Sequence, residues 1–382
     1  MKTLNKVLGN FKETIFTTMS RKALKHQAIN LSQGFPDFPP AEWINQLQKK
    51  YSHLPEYQQY AAGNGISDLR KTLSHVYAEQ YDLNYHPDRE ITVTSGATEA
   101  LFCSIMAICN TGDEVIVFEP YYDSYKASIQ YAGAKPVTIT LKAPEFNFEI
   151  DELRNAINEK TKAIILNSPH NPTGKIFSEQ ELKKISQICQ EKDLYLISDE
   201  VYEYLTFDGI KHTPIAQLKG MQERTITISS AGKTFGATGW KVGWACTSET
   251  LTHAIRMVHQ FTTFSVHHAS QKIVSDALSN LNSYIPEFQK EYQAKRDYFL
   301  KQLQGLGYDC FKPQGTYFIM ANIENKTQLK DIGYSLELIE TRQVATIPPS
   351  VFYDKANDGE KYLRFCFAKK METLEAAAKN LA

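Results

Sequence analysis

From about Glu90 onward, short apolar runs alternate with amphipathic ones. ITVTSG, from Ile91, reads as a strand, and TEALFCSIMAICN, from Thr98 to Asn110, as a helix ended by Thr111-Gly112. EVIVFEP is strand-like, the stretch after Asp123 helical, KPVTITL an apolar run, DELRNAINEK helical and KAIILNSP again a strand. Ser178 and Glu181 have capping-box spacing and open an amphipathic helix that runs to about Lys192. LYLISDE and RTITISS add two strands, each ending at a polar cluster. Strands this apolar, alternating with helices, predict an α/β fold with a mostly parallel sheet covered on both faces. After about Thr250, long helical segments take over (ETLTHAIRMVHQ, SQKIVSDALSN and Phe288 to Leu303), followed by shorter strands around TYFIMANI and YLRFCFA. These predict a bridge and a smaller α+β domain, joined by part of the N-terminus.

The 382 residues exceed what one core serves well and suit two domains. A net charge of -1, with the basic residues scattered, gives no reason to expect nucleic acid or an anionic membrane as partner. Cys103, Cys109, Cys189, Cys246, Cys310 and Cys366 include no C-x-x-C pair, which argues against a metal site or a disulfide framework. The stretch ending at Met19 lacks the apolar core of a signal peptide, and no run approaches the ~20 residues that span a bilayer. The expectation is a soluble protein of the cytoplasm.

Polar clusters fall where the strands end, the place open α/β sheets keep for ligands. Ser95-Gly96-Ala97-Thr98 joins a strand to a helix. Small residues there admit a close ligand and the first helical N–H groups suit a phosphate, although Thr98 serves equally as the cap of an ordinary turn. Asn171 sits in NSPHNPTG, a turn that Pro172 and Gly174 alone would account for. Asp199 and Tyr202 follow LYLIS; the acid either caps a helix or faces the centre of a site. The strongest element is SSAGKTFGATGWKVGW, from Ser229 to Trp244, which puts Ser230, Lys233 and Lys241 in one glycine-rich loop. A solvated loop has no need of so many small residues around two lysines. Arg364, inside the apolar YLRFCFA, is either a paired structural arginine or a clamp. Its planar guanidinium grips a carboxylate with two parallel hydrogen bonds.

SAGKTF, GWKVGW, HNPTG and SDEVY together resemble the class I aminotransferases of the type I pyridoxal-phosphate fold. The likeness runs from LSQGFPDFPP near Leu31 to LRFCFAKK near Leu363 and is greatest to the methionine and kynurenine/glutamine branches. It implies a large domain over 43–283, with a mostly parallel seven-stranded sheet sandwiched by helices. A smaller α+β domain would comprise 21–42 and 284–382, and residues 1–20 would form an N-terminal arm. It implies pyridoxal 5'-phosphate as cofactor, carried by Lys233 as a Schiff base. Asp199 would pair with the ring nitrogen, Tyr202 and Asn171 would bond the ring's phenolic oxygen, and Tyr122 would stack on the ring. The backbone at Ala97 and Thr98, with Ser230 and Lys241, would hold the phosphate. Arg364 would hold the substrate α-carboxylate, helped by Gly34 and Asn171. Tyr60 would reach the phosphate of the neighbouring subunit, which implies a homodimer. The side-chain pocket would draw on Phe16, Tyr60 and, from the other subunit, Phe264 and Ser265. Two positions depart from the kynurenine branch, which often has an aromatic residue in place of Thr98 and Phe in place of Tyr122.

The residue types suit that chemistry. A lysine amine makes a Schiff base only while neutral, and burial near a cationic ring and Lys241 lowers its pKa. Once displaced, it can carry the proton between the substrate Cα and the cofactor. An acid at ~4 Å from the ring nitrogen, at an effective dielectric of ~20, contributes roughly 4 kcal/mol before desolvation, about three pKa units. An apolar, aromatic pocket with no obvious second arginine favours methionine, phenylalanine, tyrosine or glutamine over aspartate as donor to a 2-oxo acid. The alternatives are a cysteine-conjugate β-lyase on the same fold and a non-catalytic cofactor-binding regulator. Against the regulator stand Lys233, Arg364 and the lack of an evident N-terminal DNA-binding domain.

Overall fold

The alternating run assembles into one sheet of seven strands: β1 (Ile91–Ser95), β2 (Glu114–Glu119), β3 (Lys135–Thr140), β4 (Thr161–Asn167), β5 (Tyr195–Asp199), β6 (Thr225–Ser230) and β7 (Val242–Cys246). The structure, a computed structural model, describes residues 5–382. The spatial order is β1-β7-β6-β5-β4-β2-β3. Strands β2 to β6 pair in parallel, whereas β7 runs antiparallel to both β6 and β1.

Successive residues of a strand serve opposite faces. Ile165 and Ile197 pack with Leu101 and Ile105 of α1 (Gly96–Ile108). Their neighbours Ile164 and Leu196 pack with Leu182 and Ile185 of α2 (Glu179–Glu191) on the other side. With both faces covered, the strands read as unbroken apolar runs.

Helix α2 starts where Ser178 and Glu181 cap each other, as their spacing predicts: the Ser178 Oγ accepts from the Glu181 N–H and the Glu181 carboxylate accepts from the Ser178 N–H at 2.8 Å. Helix α1 begins at Gly96 rather than Thr98, because Gly96 takes φ +74° and turns the chain directly from β1 into the helix. The helix expected over DELRNAINEK spans only Ile150–Ala156. Asn158 ends the run in a side-chain turn, its Oδ1 accepting from the Lys160 N–H at 2.8 Å.

Beyond the sheet come α3 (Glu249–Thr262), α4 (His268–Leu278) and α5 (Leu281–Gly305), the last starting earlier than the Phe288 read from the pattern. A second, antiparallel sheet follows, of β8 (Asp309–Phe311), β9 (Phe318–Asn322) and β10 (Tyr362–Cys366), with β9 in the middle. Near the N-terminus Ile29–Asn30 pairs in parallel with Val344–Ala345, so that residues 31–35 pass along the end of the large sheet. All six cysteines are free. Among the described residues no helix is long and apolar enough to cross a membrane.

Candidate active site

Strands β4, β5 and β6 end side by side at Asn167, Asp199 and Ser230, beside the start of α1. A cavity of about 370 Å³ opens there, walled on its far side by Gly34, Phe318 and Arg364. Of the residues singled out by sequence, Phe16, Gly34, Ala97, Thr98, Tyr122 and Asn171 line it. So do Asp199, Tyr202, Ser230, Lys233, Lys241 and Arg364.

At one end the cavity is lined by Gly96, Ala97 and Thr98 at the start of α1, against which β7 packs closely. A Cβ on Gly243 would lie 2.5 Å from the Gly96 carbonyl carbon and 2.6 Å from the Ala97 nitrogen, so β7 can pass only as glycine. Lys241, in the left-handed region at φ 52°, brings its Nζ to within 3.0 Å of where a Gly96 Cβ would stand. A cation, the Ser230 hydroxyl and the first N–H groups of a helix thus meet at one spot, an arrangement suited to an anion. Glu99 is occupied elsewhere: it accepts from the Ser95 N–H and pairs with buried His259, which in turn bonds the Gly63 carbonyl.

Asp199 is almost fully buried. Its Oδ2 accepts a 2.6 Å hydrogen bond from the Tyr125 hydroxyl, and Asn167 Nδ2 donates to its main-chain carbonyl. The same Asn167 accepts from the Asn171 N–H at 2.7 Å and so fixes the turn that carries Asn171. Burial pushes the Asp199 carboxyl up to about 6, although the bonds from Tyr125 and Val201 pull the other way.

The Lys233 amine donates to the Gly34 carbonyl at 3.0 Å and to the Tyr317 hydroxyl at 2.9 Å. Burial pushes it down to about 8; the Arg364 and Lys241 charges act in the same direction and Asp199 against them. An amine with that pKa is partly neutral near physiological pH and can act as a nucleophile.

Arg364 projects from the middle of β10, with 1% of its surface exposed. Its Nη1 donates to Asn171 Oδ1 at 3.0 Å and its Nη2 to the Ser32 carbonyl at 2.8 Å. The guanidinium lies 3.9 Å from the Phe318 ring centre and 5.3 Å from that of Phe16. Its Nε is buried without a partner, and both bonded acceptors are neutral. Among the described residues no carboxylate pairs with it, and a buried cation in that state can be satisfied by an anion. Of the two readings that YLRFCFA allowed, the geometry therefore favours the clamp over a paired structural arginine.

Three candidates lie outside the cavity of this chain. Tyr60 is 83% exposed and packs edge-on against Phe264, itself half exposed, and Ser265 bonds the Ala61 carbonyl. The two departures from the kynurenine branch prove to be neighbours, since Thr98 eases the burial of the Tyr122 phenol that desolvation otherwise pushes up. Sequence reasoning missed Tyr125, Asn167 and Tyr317. Tyr125 follows Tyr122 by three residues, at the start of a helix over Ser124–Tyr131, and Asn167 opens the NSPHNPTG motif, so both left a signal. Tyr317 lies in a strand-like run and left none.

The chain belongs to the aminotransferase class I and II family, whose family model matches residues 26–381. It is 39% identical to the kynurenine–oxoglutarate transaminase of Dictyostelium discoideum, over 99% of this chain and 95% of that protein. It is 37% identical to the methionine aminotransferase of Escherichia coli (strain K12), over 96% and 95% respectively. Its fold matches that of the N-succinyldiaminopimelate aminotransferase from Mycobacterium tuberculosis with a TM-score of 0.96, at 36% identity and with 100% of both chains covered. The type I aminotransferase fold implied by the motifs is the fold observed.

Proposed function

We propose that the protein is a pyridoxal-phosphate-dependent aminotransferase that moves the amino group of an apolar or aromatic amino acid, of the methionine, phenylalanine, tyrosine or glutamine type, to a 2-oxo acid. One observation carries the reading: the partly neutral amine of Lys233 shares a cavity with the Arg364 guanidinium, which has no carboxylate partner among the described residues. The residues fit the cofactor, because Gly96 and Ala97 at the start of α1 line the cavity together with Ser230 and Lys241 and offer a phosphate a charged, donor-rich seat.

Pyridoxal phosphate supplies an aldehyde for an amine and a ring that takes up electrons when the substrate Cα–H bond breaks. Asp199 would keep the ring nitrogen protonated, while Tyr202 and Asn171 would bond the phenolic oxygen and Tyr122 would cover the ring face. Arg364, with Asn171 and Gly34, would hold the α-carboxylate in the same way for amino acid and oxo acid. Lys233 would take the proton from the substrate Cα and deliver it to the former aldehyde carbon of the cofactor. Phe16, Phe318 and Tyr122 give the remaining wall an apolar, aromatic character that suits the donors named. A homodimer in the cytoplasm is the proposed working form. Exposed Met257, Tyr60, Phe261 and Phe264 offer an apolar surface for a second copy, to whose sites Tyr60, Phe264 and Ser265 would contribute.

The test is the visible absorbance of the purified, cofactor-loaded protein before and after adding methionine without an oxo acid. Bleaching, with recovery of colour when an oxo acid is added, is the expected result. Colour that persists with every donor tried would refute the reading. Pyruvate and ammonia formed from a cysteine conjugate with no oxo acid present would turn it toward elimination.

A further inference from the structure

The lysine amine does not hang free in the cavity. It is held by three chain segments that are distant in sequence: Lys233 itself, the Gly34 carbonyl and the Tyr317 hydroxyl, which also donates to Gly34 at 2.5 Å. The three polar atoms close a small triangle.

The tyrosine is built to stay where it is. Its side chain is 1% exposed, edge-on to the Tyr202 ring at 5.3 Å and stacked on the Tyr292 ring at 6.2 Å. Its carbonyl accepts from the Phe367 N–H at 2.9 Å. The approach to it is tight: a Cβ on Gly315 would meet Pro169 at 2.7 Å and the Leu205 carbonyl at 2.8 Å, and Thr316 takes φ 65°. Gly34 is equally constrained, since a Cβ there would lie 2.9 Å from the Phe318 ring. The charged and titratable groups facing the amine are Asp199, Arg364, Lys241, Cys366 and Tyr202.

A hydroxyl has one proton and can both give and accept. When the lysine is an ammonium, the tyrosine accepts from it and turns its own proton to Gly34. When the lysine is a neutral amine, the tyrosine can turn that proton to the nitrogen lone pair, while the amine still donates to Gly34. Both protonation states of Lys233 are therefore satisfied without moving a heavy atom. A carbonyl alone could serve only as acceptor.

We propose that Tyr317 is a positioning residue for Lys233, whose hydroxyl, with the Gly34 carbonyl, seats the lysine amine whenever it is not bonded to the cofactor and follows its change of protonation. This rests on the aminotransferase reading for its purpose but not for its test. In the seat the amine stays beside Asp199 and the substrate region, ready to take and return a proton, instead of relaxing toward solvent. If Tyr317 served only to pin residues 33–35, its hydroxyl would be irrelevant to how Lys233 titrates.

The experiment compares wild type, Tyr317→Phe and, as control, Tyr308→Phe, whose hydroxyl pairs with Tyr334 away from the cavity. The full chain is stripped of cofactor and labelled briefly with acetic anhydride across a pH series, and the Lys233 peptide is read by mass spectrometry. Loss of an acceptor from the ammonium lowers its protonation constant by about tenfold in Tyr317→Phe. Tyr308→Phe matches wild type. In the loaded enzyme, Tyr317→Phe loses about tenfold in kcat while KM changes by less than about twofold, and the pH profile of kcat moves with the labelling curve. Superimposable Lys233 labelling curves for wild type and Tyr317→Phe overturn the proposal. Failure of the wild-type protein to transaminate would instead sink the functional reading and leave the labelling result standing.

Discussion

Asparagine at position 199 keeps the shape of the side chain and removes its charge, so its effect on stability follows from how the acid is buried. Asp199 is 4% exposed, and its carboxyl titrates at about 6 in the folded protein against an ordinary 3.8. The difference, 6 less 3.8, is about two units, or about 3 kcal/mol. The sign is unfavourable to the wild type. Between about pH 4 and pH 6 the folded carboxyl holds a proton that the unfolded one has released, so stability falls as pH rises through that window and stays lowered above it. Asparagine does not titrate, and its Oδ1 can still accept from the Tyr125 hydroxyl, but its Nδ2 then replaces the acceptor of the long 3.4 Å bond from the Val201 N–H. Weakening the first bond and losing the second offset about 1 kcal/mol of the gain. Asp199→Asn is therefore expected to be more stable than wild type by about 2 kcal/mol at pH 8 in the cofactor-free protein, with the advantage shrinking toward pH 4.5. Urea unfolding midpoints at the two pH values measure it. The same variant should lose most of its transamination rate. A variant less stable than wild type at pH 8, or a difference that ignores pH, would refute the electrostatic argument. A rate within about threefold of wild type, ~0.7 kcal/mol of barrier, would refute the assigned role.

Three further outcomes follow from the same geometry. Arg364→Lys keeps the charge but loses the fork that bonds Asn171 and Ser32, so KM for both the amino acid and the oxo acid should rise about 10- to 100-fold; equal KM values would rule the clamp out. Uptake of pyridoxal phosphate by cofactor-free protein requires the neutral Lys233 amine, so its rate should climb with pH and level off above about 8, where an uptake rate flat from pH 6 to 10 would count against it. In a donor panel, methionine and phenylalanine should exceed aspartate in kcat/KM, and the reverse order would overturn the apolar pocket.

Much of this was legible because the large sheet is buried on both faces. Continuous apolar strands such as KAIILN and LYLIS, each stopped by a polar cluster, mark both the element and the end at which ligands bind. That is why Asn171, Asp199, Ser230 and Lys233 could be named from local pattern. Arg364 was visible as a charge among apolar neighbours, but its lack of an anionic partner among the described residues was not, since that depends on Ser32 and Asn171 arriving from elsewhere in the chain. Tyr317 was hidden for a related reason. In TYFIMANI it reads as one more aromatic of a strand, and only the fold brings its hydroxyl to Lys233 and Gly34. Helix ends were misread where a single backbone angle or side-chain turn decided them, as at Gly96 and Asn158.

The balance of charge in the cavity bears on what it accepts. Lys233, Lys241 and Arg364 face one acid, Asp199, among the described residues that line it. Arg364 is buried, Lys233 half-buried and Lys241 exposed, so the cost of an unmatched cation falls mainly on Arg364 and is relieved when an anion shares the site. The cations are also divided: Lys241 stands at the start of α1 beside Ser230, and Arg364 stands across the cavity beside Asn171. That division calls for two anionic groups held apart, with an amine and an acid between them. A phosphate at α1 and a single α-carboxylate at Arg364 meet the demand. A second carboxylate on the donor would need another cation, and the nearby Lys369 is committed to the Phe35 carbonyl at 2.7 Å. The remaining wall is aromatic, and it matches a donor whose side chain carries no charge.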